Sequence, residues 1–311
     1  MPGSVCAIII TYNPEIEKFE NTIKSIIGQS DDIIIIDNMS QAQRVIQELA
    51  KKYNTKFIPL PENEGIAYAQ NIGITYAIKH NYNYIFLMDQ DTIIPENGVP
   101  VLLKTYSDLE KANNKIGSLG YAYKNTHTGQ LNQVWRTHNM KLNKEIINLN
   151  QKKIFEIDFT IASGSFISTE TLKKVGLMDT ALFIDLVDVE WGLRAQALGY
   201  KNFQSFEKIM QHSLGSKCKK IFSRTITLHP PIRNYYIIRN SITLIRMNHI
   251  HPAWKKYLLK RIFQFFFVFG FLVGEQRERI SLMLRGTKDG LLHKQGRFGS
   301  DDSPPPPEIF V

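Results

Sequence analysis

The chain has 311 residues, and its 43% apolar content with three tryptophans indicates a folded core and excludes an intrinsically disordered protein. The formal net charge is +9, but residues 217–297 hold seventeen Lys and Arg against three acids, so the basic character belongs to the C-terminal part. The two cysteines, Cys6 and Cys218, lie far apart, which argues against a disulfide framework or a zinc site.

Short apolar runs alternate with helical patterns over the first 120 residues. The predicted strands are rich in Ile and cover residues 5–11, 32–37, 56–59 and 84–88. The predicted helices cover residues 14–28, 41–53 and 65–80, and Ser40 is the expected N-cap of the second. This alternation predicts right-handed βαβ units and an α/β fold with a mostly parallel central sheet.

Polar residues follow each of the four predicted strands: Thr11-Tyr12-Asn13, Asp37-Asn38, Glu62-Asn63-Glu64 and Asp89-Gln90-Asp91. Loops are commonly polar, so one such exit carries little information. In parallel sheets, however, ligands bind beyond the carboxyl ends of the strands. Four polar exits together therefore favour a ligand crevice at one edge of the sheet.

The middle of the chain is less regular. We expect a strand at 116–123, loops or an irregular excursion over 124–153, and an apolar strand at 159–168 interrupted by Ser163-Gly164-Ser165. Helices at 169–175 and 187–198 and a strand at 202–206 complete a domain that we predict over residues 1–250. A basic, aromatic-rich helical extension is predicted over 251–300, and a Pro-rich disordered tail over 301–311.

Asp89 and Asp91 stand at the end of an apolar strand, where an unpartnered ionised carboxylate is costly. Two carboxylates separated by one residue hold a divalent cation well, and Mg²⁺ or Mn²⁺ bound in this way shares its shell with substrate phosphates. The alternative is a turn capped by Asp. The cation accounts better for both carboxylates.

The ordered motifs of the chain resemble those of family 2 glycosyltransferases of the GT-A fold, in particular bacterial dTDP-rhamnosyltransferases. The matching segments are Ile9-Ile10-Thr11-Tyr12-Asn13-Pro14, Ile36-Asp37-Asn38-Met39-Ser40, Asn63-Glu64-Gly65-Ile66-Ala67, Asp89-Gln90-Asp91, Phe183-Ile184-Asp185-Leu186-Val187-Asp188-Val189-Glu190-Trp191 and His229-Pro230-Pro231-Ile232-Arg233-Asn234-Tyr235-Tyr236. The resemblance implies a Rossmann-like GT-A domain that transfers a sugar from a nucleotide-diphospho-sugar to an acceptor hydroxyl with inversion.

The resemblance also implies roles for individual residues of the donor site. Thr11, Tyr12 and Asn13 would line the base pocket, Asp37 would bond the pyrimidine edge, and Asn63 would lie near the nucleotide. Asp89 would meet the ribose or the metal, and Asp91 would be the principal metal ligand. His212 resembles the late His that completes the metal shell, although a structural role is the alternative. Arg233 offers a bidentate fork to the leaving diphosphate.

Inversion needs a base that takes the proton of the acceptor hydroxyl. Matching the Glu-Asp-x-Asp pattern of the family places this base at Asp188, with Val187 where a Glu is commoner. The alternative, that acids accumulate near a helix N-terminus because of its dipole, suits Asp185 better. Trp191, Ser163, Gly164 and Asp185 are expected on the acceptor side, because an aromatic face packs on a sugar ring and glycine admits close approach.

The segment 262–273 is a run of Phe and other apolar residues between basic clusters. Its twelve residues are too few to span a bilayer, which needs about 20. It suits an interfacial helix that contacts a membrane through residues 255–285, and the lipid-linked acceptors common in the family favour this interpretation. The alternative is packing on the catalytic domain or on a second copy in a homo-oligomer. Without a recognised motif, nucleic-acid binding is disfavoured.

The leading hypothesis is a metal-dependent rhamnosyltransferase that uses dTDP-L-rhamnose in cell-surface polysaccharide or O-antigen synthesis. A UDP-hexose or UDP-furanose donor is the alternative within the class. A nucleotidyltransferase would need a glycine-rich basic loop after the first strand, which Thr11-Tyr12-Asn13-Pro14 is not, and a silent binding module is disfavoured by Asp188. No basic stretch with a long apolar run precedes the first strand, so we expect a cytoplasmic enzyme, peripheral on the inner face of the plasma membrane.

Overall fold

The computed structural model describes residues 3–126, 129–147, 153–212, 217–221 and 224–299, with the backbone alone for 217–221 and 224–227. The predicted tail at 301–311 lies outside these residues. The elements in chain order are β1 (Val5–Thr11), α1 (Ile16–Ile26), β2 (Asp32–Asp37), α2 (Gln43–Lys52), β3 (Lys56–Pro59), α3 (Ile66–Lys79), β4 (Tyr84–Asp89), α4 (Gly98–Lys111), β5 (Ile116–Asn125), β6 (Val134–His138), β7 (Lys141–Glu145), β8 (Ile154–Ile157), β9 (Ser165–Ser168), α5 (Thr169–Val175), a 3₁₀ helix (Thr180–Leu182), α6 (Val187–Ala197), β10 (Lys201–His212), β11 (Lys217–Ile221), β12 (Arg224–Leu228), α7 (Pro231–Arg246), α8 (Pro252–Phe267), a π-helical turn (Val268–Leu272) and α9 (Gln276–Leu291).

Eight strands form the central sheet in the order β3-β2-β1-β4-β9-β5-β10-β8. Strands β1 to β4 run parallel to one another, and β5 runs parallel to β10. The short β9 is antiparallel to both β4 and β5, and β8 is antiparallel to β10 at the edge. The predicted α/β fold with a mostly parallel sheet is confirmed.

Alternate residues of β1 enter two different cores, one on each face of the sheet. Ile8 and Ile10 pack in the core that contains α3, α5 and α6, whereas Ala7 and Ile9 pack in the core that contains α1, α2 and α4. Burying an Ile side chain contributes about 1.5–3 kcal/mol. The continuous apolar run of β1 therefore reflects burial on both faces.

The register of the parallel strands brings their polar exits to one edge of the sheet. Ile10 lies opposite Asp89, Thr11 lies opposite Asp37, and Asp37 lies opposite Pro59. The prediction that the four exits meet at one edge is confirmed.

Ser40 is not the N-cap of the second helix. Helix α2 begins later, its N-cap residue is Ala42, and no side chain caps it. The Ser40 hydroxyl instead accepts a hydrogen bond from the Asn13 N–H at 2.8 Å. Ser40 thus joins the exits of β1 and β2 through a hydrogen bond of its side chain and does not cap α2.

The prediction of an irregular excursion over residues 124–153 was wrong in part, because an antiparallel hairpin of β6 and β7 occupies its middle. Asn139 and Met140 form the turn, with φ of 46° and 62°. Two-residue hairpin turns with positive φ match the twist of the strands they join. Helix α4 was not predicted from the sequence. The strand predicted at 159–168 is shorter in the structure, where only β9 is extended, because the backbone turns at Gly164, whose φ is 82°.

Helices α7, α8 and α9 pack together around Ile238, Phe269, Val273 and Met283, and α8 contributes Ile262 and Phe265 to this contact. Where α9 crosses α7, a Cβ on Gly286 would lie 2.6 Å from the Tyr235 carbonyl oxygen, so only glycine allows this approach. The described part of the chain contains no helix with the length and apolar character needed to cross a bilayer.

Candidate active site

A cleft of about 920 Å³ opens at the edge of the sheet where β1 to β4 end. Its walls come from the strand exits, the loop before α6, the start of α7 and the residues that follow α9. Its polar and aromatic lining residues are Tyr12, Asn38, Asn63, Asp89, Gln90, Asp91, Phe183, His212, His229, Arg233, Tyr236, Arg297 and Phe298.

Asp37 lies under the floor of the cleft and is fully buried. Its carboxylate accepts hydrogen bonds from the Thr11 hydroxyl at 2.8 Å, the Ser40 N–H at 3.0 Å and the Gln43 amide at 3.2 Å. Asp37 and Thr11 therefore brace the first two strand exits from below. The structure does not bring either side chain to the cleft surface, where both were predicted to meet the base.

Asn38, which the sequence interpretation did not single out, lines the cleft beside Asn63. Its amide donates to the Asn63 side-chain oxygen at 3.0 Å, and its own oxygen accepts from the Glu64 N–H at 3.0 Å. Tyr12 is half-exposed at the rim, and Asn13 next to it adopts φ 47°. Tyr12, Asn38 and Asn63 thus line the cleft at the exits of the first three strands.

Asp89, Asp91 and His212 form a group in which one ligand atom from each lies within 4.8 Å of the others. His212 Nε2 is 3.8 Å from an Asp89 oxygen, and His212 Nδ1 is 3.8 Å from an Asp91 oxygen. The imidazole reaches this position because β10 extends to His212, well beyond the predicted strand. Two carboxylates and one imidazole suit a divalent cation such as Mn²⁺ or Mg²⁺.

Electrostatics at this group favour a cation. Burial raises the pKa of Asp89 to about 6, although the charge of Arg233 opposes the rise. Burial also raises the pKa of Asp91 and lowers the pKa of His212. Burial opposes ionisation of the two carboxylates, and a bound cation would offset that cost by stabilising their ionised form. Burial also keeps the imidazole neutral, which is the form that can bind a cation.

Ser163 supports the group from below. Its hydroxyl accepts from the Asp89 N–H at 3.1 Å and lies 2.5 Å from the Thr92 hydroxyl. Thr92 in turn lies 3.0 Å from His212 Nδ1. The buried chain Asp89–Ser163–Thr92–His212 therefore orients the imidazole so that Nε2 points towards Asp89.

Asp188 lies in the first turn of α6, behind the cleft, and lines a small separate cavity with Thr160, Ala162 and Trp191. Its carboxylate accepts from the Val189 N–H at 2.9 Å. Burial raises the pKa of Asp188 to about 6, and the charges of Asp89 and Asp185 add to the rise. Such a carboxylate is ionised at neutral pH yet a stronger base than an exposed aspartate.

Asp185 precedes α6 and does not share a helical face with Asp188. Arg233 binds it with two hydrogen bonds of 2.6 Å, from Nε and Nη2 to the two carboxylate oxygens. Phe183, Asp185 and Leu186 all have φ between 60° and 68°. Backbone strain of this kind persists only where the surroundings hold it in place, commonly at functional sites.

This strained loop is fastened by two buried residues of α7. The Asn240 amide nitrogen lies 2.8–2.9 Å from the carbonyl oxygens of Leu182, Ile184 and Asp185. The fully buried Arg239 donates to the carbonyls of Ala181 and Leu182. Helix α7 therefore fixes the position of the loop that leads into Asp188.

The sequence model of a protein family, described as glycosyl transferase family 2, matches residues 6–175, which is more than half of the chain. The chain belongs to glycosyltransferase family 2. The dTDP-rhamnosyl transferase RfbF of Shigella flexneri is 34% identical over 250 residues, which cover 80% of this chain and 82% of that protein.

Solved glycosyltransferase structures share its fold. S. aureus TarS in complex with UDP-GlcNAc has a TM-score of 0.57 at 14% identity, over 93% of this chain and 81% of that one. The mannosyltransferase PcManGT from Pyrobaculum calidifontis, in complex with GDP-Man and Mn2+, has a TM-score of 0.53 at 12% identity, over 95% and 89%. At these identities the likeness shows the fold alone, which is GT-A as predicted.

In this family 2 glycosyltransferase, three of the residues predicted on the acceptor side lie away from the cleft. Trp191 is buried, and its indole N–H donates to the Gly176 carbonyl at 2.8 Å. Gly164 faces Met210, and Ser163 holds the aspartate group from below. Only Asp185 approaches the cleft, through its pair with Arg233.

Several lining residues of this glycosyltransferase were missed in the sequence. Phe183, His229 and Tyr236 line the cleft and lie within motifs that carried the family resemblance. Their position in those motifs was a signal that the sequence-based prediction did not use. Arg297 and Phe298 lie in no motif, and no sequence pattern points to them. They reach the cleft only because the chain returns to it after α9.

Proposed function

We propose that this glycosyltransferase transfers L-rhamnose from dTDP-L-rhamnose to a saccharide acceptor with inversion at the anomeric carbon. The observation that carries the proposal is the group of Asp89, Asp91 and His212 on the wall of a cleft large enough for a nucleotide sugar. The donor is supported by the 34% identity to a dTDP-rhamnosyl transferase over 80% of the chain.

In this proposal Asp89, Asp91 and His212 hold Mn²⁺ or Mg²⁺. The bound ion would supply positive charge to the diphosphate as its negative charge grows. The imidazole ligand favours Mn²⁺, because Mg²⁺ prefers oxygen atoms. Arg233 adds positive charge beside Asp89, since its guanidinium opposes the rise of the pKa of Asp89 even while it is bonded to Asp185.

Asp188 acts as the general base. As the acceptor oxygen forms its bond to the anomeric carbon, the bond from that carbon to the diphosphate breaks and its electron pair leaves with the diphosphate. The proton of the acceptor hydroxyl passes to an Asp188 carboxylate oxygen. Asp188 lies within electrostatic range of Asp89, as the effect on its pKa indicates, and so near the proposed donor site.

The donor is tested by the binding of dTDP-L-rhamnose, a UDP-hexose and a UDP-furanose to the full chain, with Mn²⁺ and with EDTA. We expect dTDP-L-rhamnose to bind at least about tenfold more tightly than either UDP-sugar, a difference of about 1.4 kcal/mol. Tighter binding of a UDP-sugar would transfer the proposal to that donor. The nucleotidyltransferase alternative gains no support from the family match.

We also propose that helix α8 brings the enzyme to an anionic membrane that carries a lipid-linked acceptor for polysaccharide or O-antigen synthesis. Leu259, Phe263, Phe267 and Phe271 recur every four residues and are 51–67% exposed. The neighbouring row holds Lys256 and Lys260, both exposed. Apolar side chains inserted below the headgroups, with Lys on the lipid phosphates, suit this pattern.

Vesicle flotation tests the membrane proposal. The double variant Phe263→Ser, Phe267→Ser should lose flotation with vesicles of one-third phosphatidylglycerol, while the control variant Leu198→Ser, at an exposed position on the catalytic domain, should float like the wild type. A change of oligomeric state with no change in flotation would assign the helix to a second copy instead. The domain boundary near residue 250, the cytoplasmic location and homo-oligomer formation stay predictions.

A further inference from the structure

Residues 292–299, here called the C-terminal strap, return from the end of α9 to the cleft. The buried Arg239 donates to the Gly296 carbonyl, and the Gly296 N–H donates to the Ala181 carbonyl at 2.9 Å. The Phe298 N–H donates to the Tyr236 hydroxyl at 2.9 Å, and its ring lies edge-on to Tyr235 with 4.7 Å between centroids. The strap is thus tied to α7, and Arg239 contacts both the strap and the loop before Asp188.

These ties place Arg297 on the wall of the cleft. It lines the same cavity as Asp89, Asp91 and Asn63. Its Nη1 is 3.4 Å from a Glu62 oxygen. Burial raises the pKa of Glu64, and the charge of Arg297 opposes that rise. Arg297 therefore lies at the exit of β3, next to Glu62 and Glu64, although it belongs to an element distant in sequence.

Two arginines on the cleft wall differ in how tightly the protein holds them. Among the described residues that line the cleft, Arg233 and Arg297 carry permanent positive charge. Arg233 forms two short bonds to the partly buried Asp185. The Arg297 pair with Glu62 is longer, and both side chains are more than half exposed, so water screens this contact.

We propose that Arg297 binds the diphosphate of the donor and that the C-terminal strap is the element that delivers it. This inference rests on the proposed nucleotide-diphospho-sugar donor. A guanidinium forms two parallel hydrogen bonds to phosphate oxygens, and these charge-assisted bonds are stronger than the exposed contact with Glu62. On donor binding, the Arg297 fork exchanges Glu62 for phosphate oxygens.

The test measures binding of dTDP and dTMP to the full chain by calorimetry in the presence of Mn²⁺. Arg297→Ala should weaken dTDP binding by about tenfold or more, with a smaller loss for dTMP, because the second phosphate is the group that is contacted. Arg277→Ala, which removes an exposed Arg on α9, is the matched control and should leave both affinities unchanged.

Glu62→Gln separates phosphate binding from a purely structural clasp. If Arg297 binds phosphate, removing the competing carboxylate should leave dTDP binding unchanged or tighter. If the Arg297–Glu62 pair only holds the strap, Glu62→Gln should weaken binding as Arg297→Ala does, and the inference is overturned. Equal dTDP affinity for Arg297→Ala and the wild type would also overturn it.

The same binding measurements distinguish failure of the proposed function from failure of the role of Arg297. A wild type that binds neither dTDP nor UDP with Mn²⁺ would overturn the nucleotide-sugar donor and this inference together. A wild type that binds dTDP while Arg297→Ala binds it equally well would remove the role of Arg297 alone. A wild type that prefers UDP moves the same test to UDP and UMP.

Discussion

Gln90, the residue between the two aspartates, binds both polar atoms of the Tyr12 backbone. Its side-chain oxygen accepts from the Tyr12 N–H at 2.7 Å, and its amide nitrogen donates to the Tyr12 carbonyl at 3.3 Å. The exit of β4 is thereby joined to the exit of β1. The middle position of the Asp-x-Asp motif links the proposed metal group to the rim of the proposed base pocket.

We therefore predict that Gln90→Ala impairs donor binding more than catalysis. The two hydrogen bonds contribute about 2 kcal/mol to the order of the Tyr12 backbone. Donor binding to the variant must restore that order, so the KM for the donor should rise by up to roughly 30-fold, with kcat changed less. Gln264→Ala, at an exposed position on α8, is the control for an amide lost elsewhere. Steady-state kinetics decide, and a fall in kcat at constant KM would contradict the prediction.

Removal of the imidazole should weaken metal binding without abolishing it. His212→Gln should raise the Mn²⁺ concentration for half-maximal activity by about 10- to 100-fold, because Asp89 and Asp91 remain. Asp91→Asn should have the larger effect, and EDTA should inactivate the wild type. Mn²⁺ binding measured by electron paramagnetic resonance in the presence of dTDP provides a readout independent of activity.

His138→Gln is the control for the metal experiment, because His138 lies exposed on the β6–β7 hairpin. It should retain the metal requirement of the wild type. Full activity of the wild type in EDTA would contradict metal dependence altogether. Equal metal affinity for His212→Gln and the wild type would instead leave His212 with a structural role, in its contact with Thr92.

The strand exits were predictable because their position follows from local patterns and from one topological rule. Apolar runs predict the parallel strands, and parallel strands end at one edge, so the sequence places Asp89 and Asn63 at the same edge without knowledge of side-chain packing. The surroundings of Trp191 were not predictable, because α6 is buried on nearly every face and a motif position does not show which way its ring points. Arg297 contacts Glu62 across 235 positions of sequence, a distance at which no local pattern carries information.

Asp188→Asn should abolish transfer while the donor still binds. The amide cannot take the proton, so kcat should fall by about 100- to 10,000-fold, with the Kd of dTDP within about twofold of the wild type. Asp108→Asn, on the exposed face of α4, is the control. Undiminished turnover in Asp188→Asn would reassign the base to another group.

The raised pKa of Asp188 also predicts a pH dependence. The wild-type kcat should decline as pH falls through about 6, since the carboxylate becomes protonated, and Mn²⁺ beside Asp89 should move this limb lower by offsetting the negative charge. A pH–rate profile with saturating donor measures it. A profile that stays flat from pH 8 to pH 5 would contradict the assignment.

Stability should respond in the opposite direction from activity. Burial raises the pKa of Asp188 from 3.8 to about 6, so the folded chain binds this proton more tightly than the unfolded chain. The resulting stabilisation is complete below about pH 4 and is lost as pH rises through about 6. Asp188→Asn should therefore raise the free energy of unfolding at pH 7 by about 1–2 kcal/mol in EDTA, a gain that disappears at pH 4.

Asn240 should matter for both stability and activity, because its amide nitrogen lies 2.8–2.9 Å from three backbone carbonyl oxygens of the strained loop before α6. Asn240→Ala leaves those buried carbonyls without this partner, which should lower the free energy of unfolding by about 2–4 kcal/mol. The loop carries Asp185 and leads into Asp188, so kcat should fall even at temperatures where the variant is fully folded. Asn21→Ala, at an exposed position on α1, should change neither quantity. Urea unfolding with kinetics below the transition separates the two effects, and a destabilised Asn240→Ala variant with wild-type kcat would show that the loop positions no catalytic group.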